Sequence, residues 1–521
     1  MLNQQRREFI ALTTAGAGTL LLPDWVIAAD IPTDNPAAAL QIAWTGELPW
    51  SHVIDITTIS GSGKYWDQRL VEAQQQLTAR GRGGVLYFPA GEYHFEHHIQ
   101  LLDGVILRGA APRGATSAHS NQYAPPTRFE FPQYQPSLKG AGTPIDTAFK
   151  GIYLKDPGKA ANCGVVNITI NRGHVHFEET EEHTCGGNRI VYGCVLRNAA
   201  VADPAIPSQK VKQHAWQRFT SRHHAAIDVK GSENILVANN RLPESGDDNF
   251  TMPGFLLKPA RGSADRYDVV FDYDNRPGLY VSHYCVGGPG GSGNDGTPET
   301  HPWGFRKGIV IRDNYVFNTG RMCIGFGGDG TICANNVTRI EKDVWRPTVT
   351  GESATHGSST NDNRAVEMRG WRWTVDGNDF VVHRNWCADR SYPINDGEGL
   401  MHEDHCNSDI RDSRLTNNKG NSYLSIYKCG EINGLLVEGN DISVPGDIAD
   451  IFVMSNRNSG NQPCRNVRIV NNVTRSNGIL IAGSPAAKNV VEGNTHLGKK
   501  PGYLKNEAMA MVRGNKNYTS G

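Results

Sequence analysis

Short runs of alternating apolar and polar residues recur along the chain, most clearly between residues 363 and 428. Segments there repeat a short apolar strand, a turn, a second short strand and an Asn-containing turn: RAVEMRGWRWTVDGND, EGLMHEDHCNSDIRDSRLTNN and SYLSIYKCGEINGLLVEGND. Alternation predicts that Val366 and Met368 point to one side of a strand and Glu367 and Arg369 to the other. Because each unit is too small to bury its own apolar side, the pattern predicts a stack of units.

Related units lie on both sides of this stretch, and an Asn closes the second strand of each. These residues are Asn240, Asn314, Asn336, Asn378, Asn440, Asn472 and Asn494, and the steps 314 to 336 and 472 to 494 are both 22 residues. Longer steps fit loops inserted into one turn of a coil. Asn tolerates a left-handed turn, and stacked amides can bond from one coil to the next. The pattern predicts a parallel β-solenoid with coils about 4.8 Å apart.

The early part of the chain carries a recognisable order of motifs. Residues 66–79 (WDQRLVEAQQQLTA) predict a helix, and GGVLYFPAGEY at 83–93 and IQLLDGVILRG at 99–109 follow. This order resembles the opening of the pectate-lyase-like right-handed β-helix superfamily, in which a capping helix precedes a GG-V-x-YFPAG-x-Y first coil and a GV-x-L-x-G second coil. The resemblance implies an all-β, right-handed parallel β-helix with an N-terminal capping helix. It leaves the chemistry open, because the superfamily includes lyases, glycosidases, epimerases and phage tailspikes.

Composition and charge narrow the class of partner. The 521 residues carry 52 basic and 53 acidic side chains and 58 glycines, without the bias of a nucleic-acid-binding or disordered chain. A solenoid gains core one coil at a time, so this length does not require several domains. We expect a polysaccharide or oligosaccharide substrate and no nucleic acid. An anionic substrate is compatible with the near-zero net charge of the chain, because binding depends on the charge of the groove and not on the net charge.

The first residues are typical of an export signal. Arg6 and Arg7 precede an apolar run at 11–22, and small residues follow at Ala28 and Ala29. This resembles a twin-arginine signal peptide. The apolar run is shorter than the roughly 20 residues that a membrane span needs. We therefore expect a bacterial periplasmic or extracellular protein with no membrane association after signal cleavage.

The repeat pattern also predicts the domain organisation. It gives a signal at 1–29, a linker at 30–50, one β-helix at 51–500 and a C-terminal tail at 501–521. Interruptions of the repeat predict loop insertions near 110–160, 174–188, 244–305 and 341–362. Such insertions lengthen one side of a solenoid and build a wall beside its binding face.

Ten cysteines follow the signal. Export to an oxidising space permits disulfides, and Cys185 with Cys194, or Cys323 with Cys333, are close enough in sequence to pair. Several cysteines instead lie in strand-like runs, where a free thiol is a small core residue. Both alternatives stay open at this point.

Charged and aromatic residues concentrate on the central coils, where outward residues of successive coils become neighbours. The candidate catalytic residues are Glu367, Arg369, Glu398, His402, Glu403, Asp404 and Lys428, and the candidate substrate-binding residues are Asp228, Lys230, Trp371, Trp373, Tyr392 and Tyr427. The phase of the second central coil is open. If Met401 points inward, His402 and Asp404 face out, whereas the other register exposes Glu403.

These residues suit cleavage of a glycosidic bond. Hydrolysis needs one protonated and one ionised carboxyl group, about 5–5.5 Å apart for retention and about 6.5–9.5 Å apart for inversion. Glu367 with Glu398, Glu403 or Asp404 could meet either spacing from neighbouring coils. A basic neighbour such as Arg369 or His402 would separate the two pKa values. Hydrolysis is the function that the sequence favours.

Two alternatives use the same surface differently. A polysaccharide lyase would bind Ca²⁺ on carboxylates, neutralise a uronate with the ion and Arg369, and remove the C5 proton with Lys428, Tyr427 or His402. A non-catalytic glycan-binding or surface β-helix would use its aromatic rings for sugar stacking. Glu, Arg, Asp and Lys ladders on a solenoid can also be plain solvated ion pairs, so each single residue has a structural interpretation as well.

Overall fold

The structure is a computed structural model of the chain. It describes residues 31–520 apart from 80, 82, 133–149, 178–186, 198–209, 213–225, 230, 243–250, 253–254, 260–266, 272–278, 281–285, 288–297, 300–304, 318–321, 341–347, 350–363, 383–400, 404–408, 422–423, 427–429, 444–448, 456–462, 483, 486–487 and 506–509. The predicted export signal and part of each predicted insertion lie outside the described residues. No helix in the described ranges is long and apolar enough to cross a bilayer.

Most described strands belong to three long sheets with parallel pairing throughout. Sheet A contains Val53–Asp55, Gly84–Phe88, Val105–Gly109, Cys163–Val166, Arg189–Tyr192, Ile235–Ala238, Ile309–Arg312, Ile332–Ala334, Thr374–Asp376, Ile410–Thr416, Ile432–Glu438, Pro463–Val470, Ser484–Pro485, Val490–Glu492 and Met511–Arg513. Sheet B contains Gly91–His94, Thr127–Glu130, Thr169–Asn171, Val195–Arg197, Arg241–Leu242, Tyr315–Phe317, Val337–Ile340, Asp379–Val382, Lys419–Gly420, Asp441–Ile442, Val473–Thr474 and Thr495–His496. Sheet C contains Ile99–Leu101, Lys150–Leu154, Gly173–Phe177, Ile227–Val229, Val286–Gly287, Met322–Phe326, Arg364–Met368, Met401–Glu403, Leu424–Ile426, Ile451–Met454, Gly478–Ala482, Gly502–Lys505 and Tyr518–Ser520.

The chain runs from sheet A to sheet B to sheet C and back to sheet A, and each circuit stacks on the one before it. The protein is therefore a right-handed parallel β-helix, as predicted. Each coil has one strand more than the repeat unit suggested, because the strands of sheet B follow directly after the Asn turn and are only two to four residues long. So short a strand leaves little alternation to detect.

Shorter elements complete the described structure. The helix α1 spans Asp67–Thr78, and 3-10 helices span Ala38–Leu40, Ala43–Glu47 and Ile56–Thr58. A small sheet pairs Lys210–Lys212, Tyr267–Phe271, Phe255–Pro259 and Thr348–Val349 in that order, and Thr251–Met252 pairs with Leu279–Tyr280. All of these last strands come from connections between sheet B and sheet C.

The core lies inside the coils and is built from the inward residues of all three sheets. Val175, Ile227, Ile324 and Val366 of sheet C are wholly buried there. Parallel stacking aligns these residues from coil to coil, so the core extends along the whole axis as one continuous cluster.

Helix α1 closes one end of this core, as the resemblance implied. Leu70, Ala73 and Leu77 of the helix are buried in the core cluster. The buried amide of Gln74 donates to the carbonyl of Gln100 (3.1 Å) and accepts from the backbone of Leu102 (2.9 Å). The helix thus covers apolar surface and satisfies backbone groups at the edge strand of sheet C.

A ladder of Asn side chains, all buried except the partly exposed Asn515, runs along the corner between sheets A and B. Its members are Asn240, Asn314, Asn336, Asn378, Asn418, Asn440, Asn472, Asn494 and Asn515. In each step the Oδ1 atom of one Asn accepts from the backbone N–H and the Nδ2 of the preceding Asn, as Asn472 does from Asn440 (3.0 and 2.9 Å). All seven predicted positions are members; Asn418 and Asn515 are additional.

The left-handed turn falls one residue before the ladder. Asn239, Asn471 and Gly493 have φ values of 53°, 56° and 67°, whereas the buried Asn that follows each of them makes the ladder contacts. The sequence analysis gave both roles to one Asn. The structure divides them: the residue at positive φ forms the turn, and the buried Asn after it makes the ladder contacts. Some turn residues also bond between coils outside the ladder, as Asn335 does to Asp313.

The cysteines that the structure describes with their side chains are buried free thiols: Cys163, Cys194, Cys333 and Cys464. The disulfides considered for Cys194 and Cys333 are therefore absent. Burial raises the pKa of Cys163 and Cys464 to about 11, and that of Cys194 to about 12, which keeps these thiols protonated. These cysteines act as small core residues.

Two predicted loops and the predicted linker contain ordered elements. The region 110–160 includes the strands Thr127–Glu130 and Lys150–Leu154, and the region 174–188 begins within the strand Gly173–Phe177. In the predicted linker, Ala37, Leu48 and Trp50 pack on the outer face of sheet A. The composition of these regions predicted loops and a linker. They contain ordered elements because a few of their apolar side chains are buried against the coils.

The ladder yields a stability prediction. We expect Asn472→Ala to lower the midpoint of urea unfolding, measured by circular dichroism. The change removes the Oδ1 atom that accepts both hydrogen bonds donated by Asn440, at a cost of about 2–3 kcal/mol. The adjacent exposed Asn471 is the matched control, since Asn471→Gly keeps the positive φ and should change stability by less than about 0.5 kcal/mol. Equal losses in both variants would contradict the ladder's role.

Candidate functional site

One row of residues follows the outer face of sheet C from coil to coil. In register it runs Gln100, Tyr153, His176, Asp228, Gly287, Gly325, Glu367, His402, Ser425, Phe452 and Leu480. We call this the sheet C row. It alternates with the buried inward residues, and parallel stacking places successive members about 4.8 Å apart. Residues from distant parts of the sequence therefore lie next to one another on one face of the sheet.

The register fixes the phase that the sequence left open. Met401 aligns with Val366 and Leu424, both of which are buried, so His402 takes the row position next to Glu367. Glu403 aligns instead with the buried residues Met368 and Ile426. The backbone register therefore places Met401 and Glu403 at positions in line with the inward residues, and a shift of one residue would exchange the two sets.

Asp228, a predicted substrate-binding residue, lies in the same row with a histidine beside it. The Asp228 side chain is only 3% exposed, and its Oδ2 lies 3.6 Å from Nδ1 of His176, whose side chain is 19% exposed. This is an ion-pair distance and is too long for a hydrogen bond. Asp228 is thus a buried carboxylate behind a partly exposed imidazole.

A second pair stands next to the first. The hydroxyl of Tyr153 lies 2.6 Å from Nε2 of His174, a hydrogen bond whose donor depends on the histidine tautomer. His174 is 2% exposed, while Tyr153 is half-buried. The Tyr153 ring centroid is 5.2 Å from the rings of both His174 and His176. Gly151 makes room, because a Cβ there would come within 2.5 Å of the His174 carbonyl oxygen.

The two pairs form one arrangement, the Tyr–His–His–Asp cluster of Tyr153, His174, His176 and Asp228. Tyr153 and His176 reach the surface, and His174 and Asp228 lie buried behind them. A surface acid or base that is oriented by a buried polar partner is the arrangement that general acid–base catalysis requires. The cluster can move protons at the outer face of sheet C.

Two glycines follow Asp228 in the sheet C row. Gly287 and Gly325 occupy the next two coils, and Glu367 comes after them. Without side chains at these positions, the outer face carries bare backbone over two coils. Asp228 and Glu367 are consequently three coil spacings apart, about 14 Å between their backbones.

Long insertions flank this face. The small sheet of Lys210–Lys212, Tyr267–Phe271, Phe255–Pro259 and Thr348–Val349 combines strands from the B-to-C connections of different coils. Their pairing shows that insertions far apart in sequence meet each other, as a wall beside a binding face requires.

The two predicted stacking tryptophans have different environments. Trp371 is partly exposed on the turn from sheet C to sheet A, where its ring packs against Phe305 (5.1 Å) and under the guanidinium of Arg411 (4.8 Å). Trp373 is wholly buried in the core cluster. A ring inside the core has no face for a sugar, which corrects the role predicted for Trp373.

The remaining predicted residues divide into two groups. Arg369 is partly exposed just after the strand Arg364–Met368. Glu398, Asp404, Lys428, Lys230, Tyr392 and Tyr427 lie outside the described residues. Among the described residues, no group of three or more His, Cys, Asp or Glu side chains is placed to hold a metal ion. The binding of Ca²⁺ by carboxylates, considered for a lyase, stays a prediction.

Sequence reasoning missed Tyr153, His174 and His176. All three fall in stretches that composition marked as loops, although His174, Val175, His176 and Phe177 alternate with a period of two. That alternation is the signal that could have found the strand. The pairing with Tyr153 and Asp228 was not visible, because it depends on which coils stack.

Comparisons with known proteins find similarity among solved structures. No protein-family model and no curated protein matches the chain. A mutant tailspike protein of E. coli bacteriophage HK620 in complex with a pentasaccharide shares 11% identity at a TM-score of 0.37 over 90% of this chain, which spans 65% of the tailspike's length. PfbA, a surface adhesin of Streptococcus pneumoniae, shares 12% identity at a TM-score of 0.39 over 90% of both chains. Sequence identities and TM-scores this low assign no activity to this protein.

The placement of the two tryptophans can be tested by unfolding. We expect Trp373→Ala to reduce the free energy of unfolding by about 3–5 kcal/mol, because it empties a large site in the core. The partly exposed Trp371 is the matched control, and Trp371→Ala should cost less than about 2 kcal/mol. Urea unfolding of both variants gives the comparison. A Trp373→Ala protein as stable as the parent would place this ring outside the core.

Proposed function

We propose that the protein is an exported enzyme that cleaves a uronate-containing polysaccharide by β-elimination at the outer face of sheet C. The observation that carries this proposal is the Tyr–His–His–Asp cluster. It offers two surface groups capable of proton transfer, Tyr153 and His176, with ring centroids 5.2 Å apart. The twin-arginine pattern at residues 1–29 supports export to the periplasm or beyond.

The cluster matches the proton transfers of elimination. His176 takes the C5 proton of a uronate, and the electrons of that C–H bond form the C4–C5 double bond. The C4–O glycosidic bond breaks, and Tyr153 donates its hydroxyl proton to the leaving oxygen. The buried Asp228 stabilises the imidazolium of His176, and His174 can return a proton to Tyr153 through their 2.6 Å hydrogen bond.

The charge around the cluster suits an anionic sugar. His98 packs edge-on against Tyr153 at 4.8 Å, so three histidines surround this tyrosine. Lys155 lies exposed two residues after Tyr153. Cationic or hydrogen-bond-donating side chains stabilise the carboxylate of a uronate as negative charge develops at C5. Ca²⁺, which the sequence analysis considered for a lyase, would share this task.

Hydrolysis, which the sequence favours, has weaker support from the described geometry. It needs two carboxyl groups about 5–9.5 Å apart. Asp228 is buried, and Glu367 lies three coils, about 14 Å, along the row. Two of the carboxylates predicted to pair with Glu367, namely Glu398 and Asp404, lie outside the described residues.

The proposal predicts the effect of two substitutions. We expect Tyr153→Phe and His176→Gln each to lower kcat/KM by about 10²–10⁴-fold, because each removes one proton-transfer group. The assay incubates the protein with pectic, alginate and neutral polysaccharides and follows new reducing ends together with the ultraviolet absorbance of the unsaturated product. Parallel reactions with Ca²⁺ and with chelator measure any contribution of the metal.

His94 provides the matched control. Its Nε2 lies 2.8 Å from Glu92 on sheet B, so it is also a histidine beside a carboxylate but belongs to a different face. His94→Gln should keep the parent activity. Reducing ends without ultraviolet absorbance would contradict elimination and support hydrolysis, with Glu367 as the next residue to test. Full activity in His176→Gln would contradict the assignment of the cluster.

A further inference from the structure

A cleft lies where the sheet C row meets the capping helix. It has a volume of about 610 Å³ and is lined by residues of α1 and of the first strand of sheet C, Ile99–Leu101. Val71 and Gln75 line it from the helix, and His97, His98, Gln100 and Lys155 line it from the coils. The cleft is therefore formed between the cap and the first described coils.

The cleft has the mixed chemistry of a saccharide site. Gln75 and Gln100 offer amides, Lys155 offers an exposed cation, and Val71, which is 52% exposed, offers apolar surface to the face of a sugar ring. Two carboxylates also line the cleft. That of Asp67 accepts from the backbone N–H groups of Glu96 (3.0 Å) and His97 (2.9 Å), and that of Glu72 accepts from the side-chain amide of Gln76 (3.0 Å). A carboxylate that is already hydrogen-bonded in this way repels an anionic ligand less than a bare one.

The cleft adjoins the Tyr–His–His–Asp cluster through two of its lining residues, His98 and Gln100. Gln100 pairs in register with Tyr153 and stands next to it in the sheet C row. The ring of His98 contacts the ring of Tyr153 at a centroid distance of 4.8 Å. One coil spacing, about 4.8 Å, is comparable with the length of one pyranose unit. A polysaccharide that follows the row past Tyr153 therefore arrives in the cleft with its next units.

Helix α1 stands across the end of the row. Gln100 is the first described member of the row, and the amide of the helix residue Gln74 bonds its backbone. The helix is held in place by the burial of Leu70, Ala73 and Leu77. A chain in the groove meets this fixed wall, so the cleft favours a chain end over the middle of a polymer.

We infer that this cleft is a terminal subsite, which binds the end unit of an acidic polysaccharide and so directs cleavage to short, fixed-length products. The inference rests on the proposed function for the location of the bond that is broken, but the binding itself can be measured separately. Lys155 would pair with the uronate carboxylate, and Val71 would lie under the sugar ring.

The first experiment measures binding by calorimetry with uronate tetrasaccharides of the pectic and alginate types and a neutral tetrasaccharide. It uses the full chain with Tyr153→Phe, which keeps the ring that His98 contacts and prevents turnover. We expect Lys155→Gln to weaken uronate binding about tenfold, the loss of one charge-assisted hydrogen bond. Lys159→Gln is the matched control, because Lys159 is an exposed lysine of the same segment that pairs with Asp156 (3.1 Å) and does not line the cleft.

A second variant blocks the cleft without removing charge. Val71→Trp adds a large ring at an exposed helix position, so it should preserve folding and abolish tetrasaccharide binding. In the active protein, the same change should replace the short products by a mixture of lengths. Unchanged binding in both Lys155→Gln and Val71→Trp would overturn the subsite, as would equal binding of the neutral sugar. If the tetrasaccharide binds and both variants weaken that binding, but the active protein forms no unsaturated product, only the proposed elimination is overturned and the subsite stands.

Discussion

The amide ladder between sheets A and B is the constraint on which the rest of the structure depends. Each buried Asn ties its own coil to the next by side-chain and backbone hydrogen bonds, so it fixes both the distance between coils and their phase. The side-chain period of a strand is two, and a slip of one residue would move the whole apolar set to the outer face. The ladder keeps the core and the outer rows in register together. It also holds across large insertions, since Asn240 and Asn314 bond directly although 74 residues separate them.

Because the ladder tolerates insertions, the fold can bring together side chains that lie far apart in the sequence. Tyr153, His176 and Asp228 come from successive rungs of sheet C, yet long connections intervene between the last two. The rigid coil places the three side chains within contact distance, while the connections between sheets B and C pair into a small sheet of their own. Two partly exposed rings, each with a buried polar partner, are thereby held side by side. Such preorganisation is what a static scaffold of stacked strands supplies best.

The capping helix affects both the core and the outer face of sheet C. Its apolar side ends the core, and its polar side limits the groove on the outer face of sheet C. Gln74 links the two roles, because the same buried amide that satisfies the edge strand also holds the helix against Gln100, the first described residue of the sheet C row. A solenoid without such a cap would leave both the core and the groove open at this end. The same helix that closes the fold therefore lines the cleft.

The sequence by itself determined the architecture. Alternating strands, the Asn positions and the helix at 66–79 predicted a capped β-helix, because these features are local and repeat with every coil. It also predicted that Asp228 and Glu367 share one face. The tertiary structure alone decided which residues touch: it brought Tyr153 and His174 together, gave His402 the place next to Glu367, and moved Trp373 into the core. The reason is physical, since contacts between coils depend on stacking order and register, and insertions of variable length hide both from any local pattern.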